Sequence, residues 1–168
     1  MDNKKFLKMP LTENIKSYVQ ANSISKDKEN LFKLFLKKGF PTTKNEEWKY
    51  TSLKNVINSS YTLHHDNFSI DNYDINRHTV GFAHKIIFFN GKMVCSPKID
   101  GVNISLNSNF KGLSNDAFSL LNESVINCGF TLTVNKNTII KKPVEVLFFT
   151  STRNSFTQYR NQINLNKN

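Results

Sequence analysis

Four histidines, two cysteines and a single tryptophan are the side chains of this sequence best able to do chemistry, and their spacing decides which chemistry. His64, His65, His78 and His84 fall in neither an HExxH nor a two-Cys, two-His zinc pattern. Three of them lie in a polar segment, so they read as solvent-facing imidazoles rather than as metal ligands. Cys95 comes just beyond an Asn-Gly turn and Cys128 ends a helical pattern, with no CxxC between them. Each reads as a small core residue. The enzymatic alternative is thiol or metal chemistry centred on one of these cysteines, which requires a depressed thiol pKa or a bound metal. Glu46 and Glu47 are adjacent, so on a helix they point apart instead of forming an acid/base pair. No Walker A, GxGxxG or GxSxG sequence is present. No residue is therefore assigned as catalytic, cofactor-binding or metal-binding, and the chain reads as non-enzymatic.

Trp48, Lys49 and Tyr50 could instead stack on nucleic-acid bases. The net charge of +10 favours a polyanionic partner. Against this, lysine supplies 20 of the 23 basic residues, whereas phosphate and base recognition favours the arginine fork. The 24 asparagines point to a general Lys/Asn compositional bias. The basic nucleic-acid-binding or other interaction module is thus the alternative, and the main reading makes Trp48 an anchor that pins a helical turn onto a core. Its replacement by alanine is expected to cost about 3 kcal/mol through lost burial.

The elements that position these residues follow from periodicity. Leu11, Ile15, Tyr18 and Val19 share a helical face behind Pro10, which predicts a helix over 10–21. Leu31, Phe32, Phe35 and Leu36 form the stripe of a second helix over 26–38, with Lys37 and Lys38 in its last turn and Gly39 and Pro41 as its stop. Thr43 and Glu46 have the spacing of a capping box for a short helical turn that runs through Trp48 and Leu53 to Ile57. Residues 58–79 are polar with scattered aromatics and predict a long, mobile loop.

From residue 84 the period changes. In "HKIIFFNGKMVCS" two apolar runs flank Asn90-Gly91, which predicts a type I′ hairpin. "VNISLN" alternates as a strand. "SNDAFSLLNESVINCG" predicts a helix capped by Asn115 or Ser114, faced by Phe118, Leu121 and Val125, and ended by Gly129. "FTLTV", the "TIIKKPVEVLFFTS" run and "FTQYRNQINLN" return to strand, with Pro143 at an edge or corner. Such short strands suit a coil or a sandwich. The expected class is α+β: an N-terminal helical region over 1–57, a polar loop over 58–83 and a β-rich region over 84–168. Apolar runs reach only four residues, so neither a membrane span nor a secretory signal is expected, and the unpaired cysteines suit a reducing, cytoplasmic setting.

The order of segments resembles the SufB/SufD family of iron–sulfur cluster assembly proteins, and its SufD branch most. In that family a helix ends in glycine, a G-x-P turn follows, and an E-x-W-K-Y-T-x-L element comes next. Gly39, Pro41, Glu46, Trp48, Lys49, Tyr50, Thr51 and Leu53 occupy those places as a structural signature. "IIFFNGKMVCS" is similar to the family's strand–NG–strand element. The 116–151 stretch is similar to its D-x-F-x-x-L-N helix and the two strands behind it.

The resemblance implies that this N-terminal portion leads into a right-handed parallel β-helix. It also implies a non-catalytic scaffold in a complex with SufB and SufC homologues, with the iron–sulfur cluster handled by the full complex and no cofactor held in this segment. The SufC contact of the family falls outside the similar region. An uncapped stack of short strands exposes free edges, so self-association is a further expectation.

Overall fold

The computed structural model describes residues 9–63, 75–106, 115–126, 128–151 and 153–167. The chain is mixed helix and strand, as expected. Its helices are α1 (Pro10–Ala21), α2 (Lys26–Lys38), α3 (Lys54–Ile57) and α4 (Ala117–Val125). Its strands are β1 (His84–Phe89), β2 (Lys92–Cys95), β3 (Val102–Leu106), β4 (Phe130–Val134), β5 (Val144–Phe149) and β6 (Gln162–Leu165). They form two compact units, one of residues 1–64, 111–125 and 154–156, the other of 65–110, 126–153 and 157–168.

The first unit is built on three helical faces. Leu11 and Ile15 of α1, Phe32 and Phe35 of α2, and Ala117, Leu120, Leu121 and Val125 of α4 form one buried cluster. The i, i+3/i+4 spacing places these residues on the inward stripe of each helix. Pro10 stands in the first turn of α1, where its missing N–H costs nothing. Ser25 caps α2 by accepting from the Lys28 N–H, and Asp27 and Glu29 in the first turn with Lys37 and Lys38 in the last complement the dipole. The stripe on α2 is narrower than its sequence suggests. Leu36 is exposed although it follows Phe32 by four residues, because it stands at the margin of the inward face, on the side away from Phe35.

α4 begins with a cap that the sequence reading placed one or two residues too early. Asp116, not Asn115, caps it: its Oδ1 accepts from Phe118 N–H at 2.9 Å and Ser119 N–H at 3.0 Å. Ser114 lies outside the described residues. The helix ends at Val125, before Gly129, and its buried face runs through Leu120, Leu121 and Ser124 with Phe118 at the margin. Ser124, fully buried, donates its hydroxyl to Leu121 O at 2.7 Å.

In the second unit β2, β1 and β5 make one sheet and β3, β4 and β6 another. Each joins an antiparallel pair to a parallel one. β1 is central in its sheet, and its unbroken Ile86–Phe89 run is buried, as expected for a strand covered on both faces. Asn90 and Gly91 both have positive φ, +48° and +84°, the type I′ signature read from the sequence. Asn90 also ties this turn to Ser151, donating from Nδ2 at 2.8 Å and accepting from the Ser151 N–H at 3.0 Å. Pro143 immediately precedes β5, where only its carbonyl is used, accepting from His84 N–H at 2.8 Å. Ile86, Phe88, Cys128, Phe130 and Leu132 form the core between the strands. Of the long polar loop, residues 64–74 lie outside the described residues, and 75–78 form a 3-10 turn.

Candidate functional site

The segment from Gly39 to Leu53 contains the signature residues, and the structure shows how its sequence makes a joint within the first unit. Gly39 ends α2 at φ +71°, a conformation that a side chain would strain, and its N–H donates to Phe35 O at 2.7 Å. Pro41 leads into a tight turn. Asn45 closes it, accepting from Thr42 N–H at 2.8 Å through Oδ1 and donating its own N–H to Thr42 O at 2.9 Å. This Asx-type turn replaces the capping box expected from Thr43 and Glu46, because the amide of Asn45 is already in reach of the Thr42 backbone. A 3-10 turn over Glu46–Trp48 follows, and Thr51 N–H donates to Trp48 O at 3.0 Å.

The joint is held by rings. Phe35 meets Phe40 edge-on at 5.0 Å, Phe40 lies 6.0 Å from Phe118 of α4, and Phe118 lies 5.2 Å from Trp48. Trp48 is only partly buried, so it lies over the α2–α4 contact instead of wedging into the core. The half-burial of Trp48 lowers the expected cost of its loss below about 3 kcal/mol. Beside the rings is an open cavity of about 340 Å³, lined among others by Phe40, Pro41, Glu47, Trp48, Asp116 and Phe118. At its margin Lys38 Nζ donates to Asn115 O at 2.8 Å.

The remaining signature residues, Leu53 excepted, are exposed. Tyr50 is 92% exposed, with Lys49 Nζ 5.6 Å from its ring centre. Lys49 also approaches Glu46 at 3.9 Å, an exposed pair that is worth little in water. Thr51 is exposed and Leu53 partly buried at the start of α3. Trp48 and Tyr50 thus do not present a shared stacking face: one ring is engaged with Phe118 and the other is in solvent. Phe40 had no predicted role, and Phe118 was expected on the face of its helix but not against Trp48. Their signal was the recurrence of phenylalanine flanking two helix ends.

Among the described residues, the candidate chemical residues do not converge. His64 and His65 lie outside the described residues. His78 packs edge-on against Phe149 at 5.8 Å, and His84 begins β1. Cys95 is exposed on β2, and its Sγ donates weakly to Lys85 O at 3.7 Å. Cys128 is buried, and loss of solvent pushes its thiol pKa up, against the opposing backbone hydrogen bonds at Gly129 and Met93. Beside it, burial likewise raises the Tyr159 phenol, whose oxygen accepts from Gly91 N–H at 2.9 Å. A raised thiol pKa is the opposite of what a nucleophile or cluster ligand needs. Among the described residues, no three His, Cys, Asp or Glu side chains are grouped to hold a metal ion.

The joint, the two helices before it, and β1 with its Asn90-Gly91 turn fall in one stretch of chain. Residues 9–91 match the family model described as the SufBD protein N-terminal region. The chain carries a SufB/SufD-family N-terminal region. In this SufB/SufD-type region the match runs from the residue before α1 to Gly91 of the hairpin turn, and so includes all eight signature positions. No curated protein matches the chain. No helix among the described residues is long and apolar enough to cross a membrane.

Proposed function

We propose that this chain is a SufD-type, non-catalytic scaffold component of the SUF system, contributing its N-terminal portion to a cytoplasmic complex with SufB and SufC homologues. The match of residues 9–91 to the SufBD N-terminal region carries the reading. In this role iron and persulfide sulfur are cargo for the assembled complex, and residues of this segment position partners without ligating the cluster. The buried Cys128, its thiol pKa raised by loss of solvent, is consistent with that division of labour.

The strand arrangement supports a parallel β-helix beginning here. β6 lies parallel on β4, with Asn164 beside Thr133, 31 positions earlier, and β5 lies parallel on β1. Cys128 and Tyr159 continue the parallel pairing just before β4 and β6. The β6-on-β4 offset is the size of one structural repeat of such a coil, whereas β5 pairs with β1 over a longer stretch of chain.

Reconstitution tests the scaffold role. SufB and SufC homologues from the same cells are supplied with iron, persulfide and ATP, with or without the full chain. Cluster formation that depends on the chain supports the scaffold role. An equal rate and yield without it, and no association with either partner, refutes it.

A further inference from the structure

The second unit concentrates positive charge at one corner. β4 ends at Val134 and the chain turns through 135–143 before β5 begins at Val144. The 98–101 turn is held against this corner: Gly101 O accepts from Asn135 N–H at 2.8 Å and from Thr138 Oγ1 at 3.3 Å. The end of β6 comes to the same place, since Leu165 lies opposite Val134 and Asn166 N–H donates to Val134 O at 3.1 Å. These three segments carry Lys98, Lys136, Lys141, Lys142 and Lys167, all of them exposed.

Asp100 is the sole carboxylate on these segments. Among the described residues, neither ion pair involves any of the five lysines. The next carboxylate along, Glu145, is taken up by the Val80 N–H at 3.0 Å. In the middle of the corner Ile139 is 85% exposed. The corner is therefore strongly basic, nearly free of countercharge, and carries an apolar side chain at its centre.

Clustered like charges raise a local positive potential that an anionic partner relieves. The segments hold no arginine and no aromatic residue, so the planar fork that grips phosphates and the rings that stack on bases are both missing. An exposed isoleucine between lysines suits a peptide carrying both carboxylates and apolar side chains. We propose that this corner docks an acidic, extended segment of a partner protein, with carboxylates on Lys136, Lys141 and Lys142 and an apolar side chain on Ile139. The corner lies on the turns and not on the strand edges, so the surface stays open if further strands stack on β5 and β6.

The test is fluorescence anisotropy of a labelled peptide of alternating Glu and Leu, titrated with the full chain at two salt concentrations. Salt-sensitive binding is expected, weakened about tenfold by the Lys136→Gln/Lys141→Gln/Lys142→Gln triple variant and about threefold by Ile139→Ser. A control triple variant on α2, Lys26→Gln/Lys33→Gln/Lys37→Gln, removes the same charge and should change affinity by less than about twofold. If the corner triple variant does not fold, the single variants carry the same comparison, each weakening the peptide measurably where its α2 counterpart does not. Absence of binding overturns the proposal, as does equal weakening by both triple variants. Tighter binding of a single-stranded oligonucleotide of matched charge, dependent on the same lysines, overturns it in favour of nucleic acid.

Discussion

Replacing Trp48 with alanine probes the joint most directly, and the structure sets the size of the effect. A fully buried tryptophan costs about 3–5 kcal/mol on truncation. Trp48 is partly exposed and makes a ring contact with Phe118 at 5.2 Å. Its apolar contribution is scaled down by that exposure, while the ring pair adds about 0.5–1.5 kcal/mol. The expected loss for Trp48→Ala is therefore about 1–2 kcal/mol. Phe118→Ala and the double variant complete a cycle whose coupling should be about 0.5–1.5 kcal/mol, since the two rings touch. The assay is urea unfolding followed by far-UV circular dichroism, because the α-helices among the described residues all belong to the first unit and their signal reports it. A Trp48→Ala loss below about 0.5 kcal/mol, the scale of ordinary surface changes, would refute the anchoring role. So would zero coupling to Phe118.

Further outcomes follow from the same contacts. Phe35→Ala empties a site that is 1% exposed, so it should cost about 3–5 kcal/mol and exceed Trp48→Ala in the same unfolding assay. Asp116→Ala removes the cap of α4 and should cost about 1 kcal/mol; an unchanged urea midpoint counts against the cap. Gly101→Ala places a methyl 2.8 Å from Thr138 Cγ2 at φ +73°, so it should lower the melting temperature, and Thr138→Ala should recover part of the loss but not all of it. Burial raises the folded pKa of Cys128 above its ordinary value of 9.0, so its contribution to stability is whole below that value and lost as pH rises through the folded value. Urea midpoints between about pH 8 and 10.5 should therefore fall more steeply in the wild type than in Cys128→Ala. Equal slopes contradict the shift.

The parts of the fold that were legible in the sequence are those fixed by local chemistry. Pro10, Gly39 and the lysines of α2 set helix limits that the structure reproduces as Pro10–Ala21 and Lys26–Lys38, and Asn90-Gly91 set the hairpin. Errors arose where two neighbouring residues could do the same job. Asp116 competed with Asn115 for a cap, and Asn45 competed with Thr43 for the turn before Trp48. Beyond the hairpin, the parallel strand partners were not legible, because β5 pairs with β1 and β6 with β4 across long stretches of chain that no local pattern encodes. The ring chain was half legible: Trp48 stood out by rarity, whereas Phe40 and Phe118 are two among fourteen phenylalanines, and their meeting depends on how α4 packs against α2.

The scaffold account rests most directly on association. Size-exclusion chromatography with light scattering, run on the full chain mixed with SufB and SufC homologues from the same cells, measures it in one experiment. The account predicts a single co-eluting complex whose mass includes at least one copy of the chain. Separate elution of the chain at its own mass, at concentrations where SufB and SufC associate with each other, would contradict it.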